Sequence, residues 1–173
     1  MAVPLRNRRL ALYSYAMAME GAVLERSIPH KGRMALLSRV LQYDFEEESL
    51  VSEVDIRETD LFFDAERRGV PSWIGIEYMA QSIAALSGIR RRMKLGEEPR
   101  IGFIMSVQDF TTRVAMFAPR QTLRVEVRKI FREGDVASFA CNIGENGAAQ
   151  VHAIINTVEA DGGPHAAVGK KDG

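Results

Sequence analysis

The stretch SWIGIEYMAQSIAALSGI, Ser72 to Ile89, constrains the fold more than any other part of the chain. From Trp73 to Ile89 nearly every position is apolar or small, and on a helix these side chains cover the whole circumference instead of one stripe. A helix apolar all round needs cover on nearly every side. Pro71 suits its first turn, with Ser72 as an alternative N-cap. The rest of the chain has to supply the cover.

That cover reads as β-structure. MALLSRVLQYD (Met34 to Asp44) is apolar and β-favouring. SLVSEVDIRE (Ser49 to Glu58) alternates, with Ser52, Val54 and Ile56 on one side and Glu53, Asp55 and Arg57 on the other. A loop-like TDLFFDAERRG leads to the helix and EEPR makes a turn after it. IGFIMSVQDFTTRV then resumes β character, and LRVEVRKIF alternates until Lys129, where the phase slips as at a bulge. ASFACNI faces Ala137, Phe139, Cys141 and Ile143 one way, and AQVHAIINTV closes the set. One such helix among five or six antiparallel strands predicts an α+β protein whose sheet wraps around the helix. The helix surface left over faces a second subunit, which is the hot-dog arrangement.

At 173 residues the chain makes one domain, expected over 19–159, with an N-terminal extension over 1–18 and a disordered tail over 160–173. Basic and acidic residues balance at 23 each, so no overall field recruits nucleic acid or an anionic membrane. Cys141 is the single cysteine, which excludes an intrachain disulfide and a cysteine-based zinc site and fits a reducing cytoplasm. No apolar run reaches membrane-spanning length. RNRR followed by LALYSYAMAM imitates a signal peptide, but the apolar part is short and lacks a clean cleavage site. It reads as a short amphipathic helix, or as a start placed ahead of Met17 or Met19. No metal-ligand spacing, phosphate-cradling glycine loop or Ser/His/Asp set is recognisable, so any chemistry is cofactor-free proton transfer without metal.

Inside the helix, Glu77 and Gln81 are four apart and share a face. A carboxylate enclosed by Ile74, Ile76, Tyr78 and Met79 costs several kcal/mol in desolvation unless partnered. Either it transfers protons, or it is bonded to Gln81 or a nearby backbone group. Trp73 and Tyr78 read as core, or as the wall of an acyl channel. His152 reads as an ordinary strand residue and His165 lies in the tail.

VPSWIGIEYMAQSIAAL resembles the central helix of the β-hydroxyacyl-ACP dehydratases of fatty acid synthesis, whose pattern is Pro-Gly, four residues, then Glu-x-Met-Ala-Gln. IPHKGRMALLSRVLQYD resembles their Leu-Pro-His-Arg opening and first strand. The short loop before the helix is closer to a subgroup of 3-hydroxyacyl-ACP dehydratases associated with aryl-polyene clusters. The resemblance spans Ile28 to Val158. It implies a hot-dog homodimer or heterodimer with sites between subunits. It implies loss of water from a 3-hydroxyacyl thioester, carried on the phosphopantetheine of an acyl carrier protein, to give a trans-2-enoyl product. Glu77 falls on the family glutamate that handles the departing hydroxyl. Ser72 and Trp73 would polarise the thioester carbonyl through their amides, and Gln81 would join in binding substrate.

One departure stands out. The family loop carries Gly-His-Phe-Pro, whereas FFDAERRGVP holds no histidine. The base is then His30 reaching Glu77 across a dimer, or Asp64 or Glu66 in the loop, or a histidine from another subunit. The missing histidine also keeps open a non-catalytic or half-catalytic partner subunit. A thioesterase, with the helix carboxylate activating water, is a further alternative. IRRRMK supplies Arg90, Arg91, Arg92 and Lys94, with Arg100 nearby. These cations either complement the helix dipole or dock the acidic surface of the carrier protein.

Overall fold

The structure, a computed structural model, describes residues 14–15, 19–20, 24, 26–145 and 147–159. The expected tail with His165, and most of the expected extension, lie outside the described residues. Ten strands are described. Five precede the helix: β1 (Ser14–Tyr15), β2 (Met19–Glu20), β3 (Arg39–Asp44), β4 (Ser49–Asp55) and β5 (Val70–Pro71). Five follow it: β6 (Gly102–Thr112), β7 (Met116–Phe117), β8 (Thr122–Glu133), β9 (Val136–Glu145) and β10 (Ala148–Glu159). Between the two groups lies α1 (Gly75–Arg90). The main sheet runs β1-β3-β4-β8-β9-β10-β6, with β2 also on β3, and every pairing is antiparallel. A sheet of six long strands curled around one long helix is the hot-dog fold.

The alternation read from sequence sets which residues form the core. Leu50, Ser52 and Val54 of β4, Leu123, Val125 and Val127 of β8, and Ala137, Phe139, Cys141 and Ile143 of β9 are all buried. From Ile74 to Arg90 no residue of the helix is fully exposed, and Tyr78, Met79, Ile83, Leu86 and Ile89 pack into the core. Each large side chain fully buried this way contributes roughly 1.5–3 kcal/mol. At Gly88 a Cβ would lie 1.9 Å from the Ser27 carbonyl oxygen, so the absent side chain lets the preceding segment close against the helix. One buried polar pair joins helix to sheet. Ser82 Oγ donates to the Tyr78 carbonyl at 2.8 Å and accepts from Ser52 Oγ at 2.7 Å.

Three local expectations are corrected. The first long strand starts at Arg39 and not at Met34. Gly32 has φ +59, residues Gly32–Met34 form a 3-10 turn, and the Leu36 amide is taken by a helix side chain instead of a neighbouring strand. Ser72 does not cap the helix. It is buried in a 3-10 turn, Ser72–Ile74, and its N–H donates to the Ala115 carbonyl at 3.0 Å. Trp73 is not core, being 61% exposed. The phase slip at Lys129, by contrast, is a bulge: β8 and β9 shift register between Lys129 and Phe131.

Candidate functional site

A groove of about 640 Å³ runs along α1. Its helical wall is Glu77, Ala80, Ala84, Ser87 and Arg91, a stripe at helical spacing. Ala137, Phe139, Thr157 and Ile104 lie on the sheet side. The hollow exists because the central positions of the stripe are small. From Glu77 to Arg91 the groove follows about 20 Å of helix.

Glu77 and His30 meet at one end. His30 Nε2 lies 3.3 Å from Glu77 Oε1, with the two side chains 29% and 30% exposed. Two expectations are corrected here. The glutamate is not enclosed by apolar neighbours but opens on the groove, and the histidine reaches it within one chain. Glu77 also stands in the first turn of α1, where the helix dipole favours negative charge. His30 Nδ1 is buried with no hydrogen-bond partner among the described residues, so the ring's polar contact is at Nε2.

Gln81 joins the two. Its side chain is fully buried. Its Oε1 accepts the Leu36 N–H at 2.9 Å, and its Nε2 donates to the Met34 carbonyl at 2.7 Å and to Glu77 Oε1 at 2.9 Å. One amide therefore holds the helix carboxylate and fastens the segment that follows His30. Buried and fully engaged, it does not line the groove, so the substrate-binding role expected of it gives way to a positioning one.

Ser72 and Trp73 do not line the groove either, and the Ser72 N–H is already spent on Ala115. In the loop before the helix, Asp64 accepts the Arg67 N–H at 2.9 Å and bridges to Gly69. Neither Asp64 nor Glu66 reaches the groove wall. Tyr78 is core, bordering a separate hollow of about 410 Å³, and burial raises its hydroxyl pKa, helped by Asp60. His152 is a strand residue, with Nδ1 3.0 Å from Asn142 Oδ1 on the neighbouring strand.

The far end of the groove is charged. Arg90, Arg91 and Lys94 line it, and Arg92 does not. All four are paired with carboxylates: Arg90 with Glu48, Arg91 with Glu97 and Glu159, Arg92 with Glu98, and Lys94 with Glu46. Lys129 and Arg132 face them from β8, pairing with Glu48 and Glu159. Sequence reasoning missed these two, although the phase slip at Lys129 was the signal. Among the described residues no cluster could hold a metal ion, and no helix is long and apolar enough to cross a membrane.

No functionally curated protein matches the sequence. Among solved structures, the fold is similar to the dehydratase heterocomplex ApeI:P from Xenorhabdus doucetiae. The TM-score is 0.73 at 22% identity, over 80% of this chain and 91% of that one. It is also similar to a putative thioesterase, a phenylacetic acid degradation-related protein from Ralstonia eutropha (TM-score 0.53, 15% identity, 69% and 82% of the two chains). The PaaI protein of E. coli, from the phenylacetic acid degradation operon, gives TM-score 0.53 at 8% identity over 71% and 79%. These likenesses establish the fold. A family model described as ApeP dehydratase matches residues 22–168. The chain therefore belongs to the ApeP-like dehydratase family, the aryl-polyene subgroup that its helix and loop motifs resemble.

Proposed function

We propose that the chain is a cytoplasmic dehydratase subunit that removes water from a 3-hydroxyacyl thioester on an acyl carrier protein, leaving a trans-2-enoyl thioester in polyene or fatty acid biosynthesis. The observation that carries the reading is the 3.3 Å contact of His30 and Glu77 at the end of a groove with an apolar middle. The pair shares one mobile proton. In the reacting arrangement Glu77 carries it, and His30 Nε2 is free to take the α-proton of the substrate. As the Cα–H bond breaks, its electron pair forms the double bond and the C–O bond to the β-hydroxyl breaks. Glu77 protonates that hydroxyl, which leaves as water. The proton on His30 then crosses the short contact back to Glu77, and the pair is reset without solvent. Gln81 Nε2 keeps the carboxylate aimed throughout. The acidic face of the carrier would dock on Arg90, Arg91, Arg92 and Lys94 at the C-terminal end of α1.

Purified protein given a 3-hydroxyacyl thioester should develop enoyl absorbance. Glu77→Gln and His30→Ala should each lower the rate by roughly 100-fold or more with an unchanged melting temperature. Full activity of Glu77→Gln sinks the assignment. Release of free thiol without enoyl product would instead mark a thioesterase.

A second reading, that the chain works as one half of a heterodimer, is favoured by β6. This 11-residue strand stands at the sheet edge with Phe103, Ile104 and Met105 exposed at 57%, 41% and 59%. A long apolar edge is unstable against pairing, so it needs a partner strand. The similar Xenorhabdus chain belongs to a heterocomplex. An inactive isolated chain that gains activity on mixing with a second hot-dog subunit would establish this reading. An active homodimer would exclude it.

A further inference from the structure

The second hollow lies on another side of α1 from the groove. Tyr78, which borders it, follows Glu77 by one residue, a turn of about 100° around the helix axis. Ile28, Leu36, Val54 and Phe62 give the hollow an apolar lining, and its volume of about 410 Å³ suits a small molecule. One segment divides the two cavities. Ile28 and Leu36 line the hollow, whereas Pro29 and His30 line the groove.

Two polar groups border this space with hydrogen-bonding capacity to spare. The Tyr78 side chain is 2% exposed, yet its hydroxyl has no hydrogen-bond partner among the described residues. A buried tyrosine hydroxyl ordinarily finds one. Burial, helped by the negative charge of Asp60, raises its pKa, so the group keeps its proton and stays a donor. Asp60 accepts the Arg57 N–H through Oδ2 at 2.8 Å, and its Oδ1 has no partner among the described residues. A donor and an acceptor thus border the same hollow.

The charges around it cancel. Arg33, Arg39 and Arg57 border the hollow with Asp55 and Asp60, and Glu53, paired with Arg39, makes three of each sign. Neither an anion nor a cation gains by entering. A hydroxyl or an amide does gain, because each can accept one hydrogen bond and donate another.

We propose that the hollow is a second ligand site, separate from the groove, for a small neutral molecule with an apolar body and a hydroxyl or amide end. That end accepts from the Tyr78 hydroxyl and donates to Asp60, while the body lies against Ile28, Leu36 and Phe62. The proposal goes beyond the dehydratase reading and does not depend on it.

The probe is benzyl alcohol, titrated into the full chain and followed by amide NMR shifts, with benzoate and benzylamine as charged molecules of the same size. Benzyl alcohol should shift Ile28, Leu36, Phe62 and Tyr78 saturably, and bind at least fivefold more tightly than either charged probe. Tyr78→Phe should weaken it about fivefold, the worth of one hydrogen bond. That variant should melt no lower than the parent, since it removes an unpaired buried hydroxyl. Asp60→Asn can still accept the Arg57 N–H, and should narrow the gap between benzyl alcohol and benzoate. The proposal is overturned by shifts confined to Ala80 and Ala84 of the groove, or by no saturable shift. Equal binding to Tyr78→Phe overturns it too. So does a Tyr78→Phe protein melting well below the parent, because the hydroxyl would then serve the fold.

Discussion

Replacing Gln81 with leucine tests how much one buried amide contributes to both the fold and the site. Leucine is close to isosteric and fits the apolar surroundings, so packing changes little. Three hydrogen bonds disappear: to the Leu36 N–H, the Met34 carbonyl and Glu77 Oε1. Each bond is worth about 1 kcal/mol net, and a buried group left unpaired costs about 1–3 kcal/mol. Met34 is exposed and Leu36 only partly buried, so water can recover part of the loss. The transfer of an apolar side chain into the site offsets more of it. The expected net destabilisation is about 2–4 kcal/mol. Urea unfolding followed by circular dichroism measures it, as a lower midpoint with an unchanged slope. Among molecules still folded, kcat should fall more than KM rises, because the segment after His30 and the carboxylate of Glu77 lose their shared anchor. A loss below about 0.5 kcal/mol with kcat intact would refute the claim that Gln81 ties the two together.

Gly88→Ala should destabilise by about 2–3 kcal/mol, although alanine is the better helix former, because its Cβ meets the Ser27 backbone; thermal melting measures it. Asp55 bears a desolvation cost that raises its pKa, but hydrogen bonds from Thr122 and Arg39 and the charges of Arg39 and Arg57 outweigh it and lower the pKa from 3.8. Stability from such a carboxylate is present above its unfolded pKa and lost as pH falls through the folded one. Asp55→Asn should therefore be less stable than the parent near neutrality, with the gap closing below pH 3.8 in a urea series; a gap constant through the acid range counts against it. Burial pushes the Cys141 thiol up to about 12. A disulfide reagent should modify it only as fast as the protein unfolds, and rapid labelling of native protein would show that β9 opens locally.

What could be read from sequence follows from which physical signals are local. The all-round apolar helix forces a wrapped sheet, and period-two alternation assigns the inward residues of β4, β8 and β9 without reference to any partner strand. The bulge announces itself as a phase error at Lys129. Its consequence, Arg132 turned into the groove, depends on what lies across the sheet and is not visible along the chain. Trp73 looked like core because its neighbours in sequence are apolar, yet a 3-10 turn precedes the helix and rotates that position outward. The exposure of Glu77 was hidden for a related reason: Ala80, Ala84 and Ser87 are compatible with tight packing, and only the fold leaves them beside a hollow. His30 and Glu77 are 47 residues apart (77 − 30), and no periodicity connects them. Gln81 could be assigned a face and Glu77 as one partner, but not the other two, because those are backbone groups of Met34 and Leu36 far away in the chain.

An all-round apolar helix poses a problem of orientation. Turned about its own axis, α1 would present much the same greasy surface to the sheet, so the hydrophobic effect hardly distinguishes one angular setting from another. One residue of rotation is 100°, enough to swing Glu77 from the groove into the core. The Ser52–Ser82 pair and the Gln81 contacts are among the groups sensitive to that angle, and they occupy adjacent positions on the helix. They act like the key in a shaft, fixing its angle while the apolar side chains provide the grip. Removing Ser52 and Ser82 together should leave a protein that is still helical and compact but less uniquely aimed.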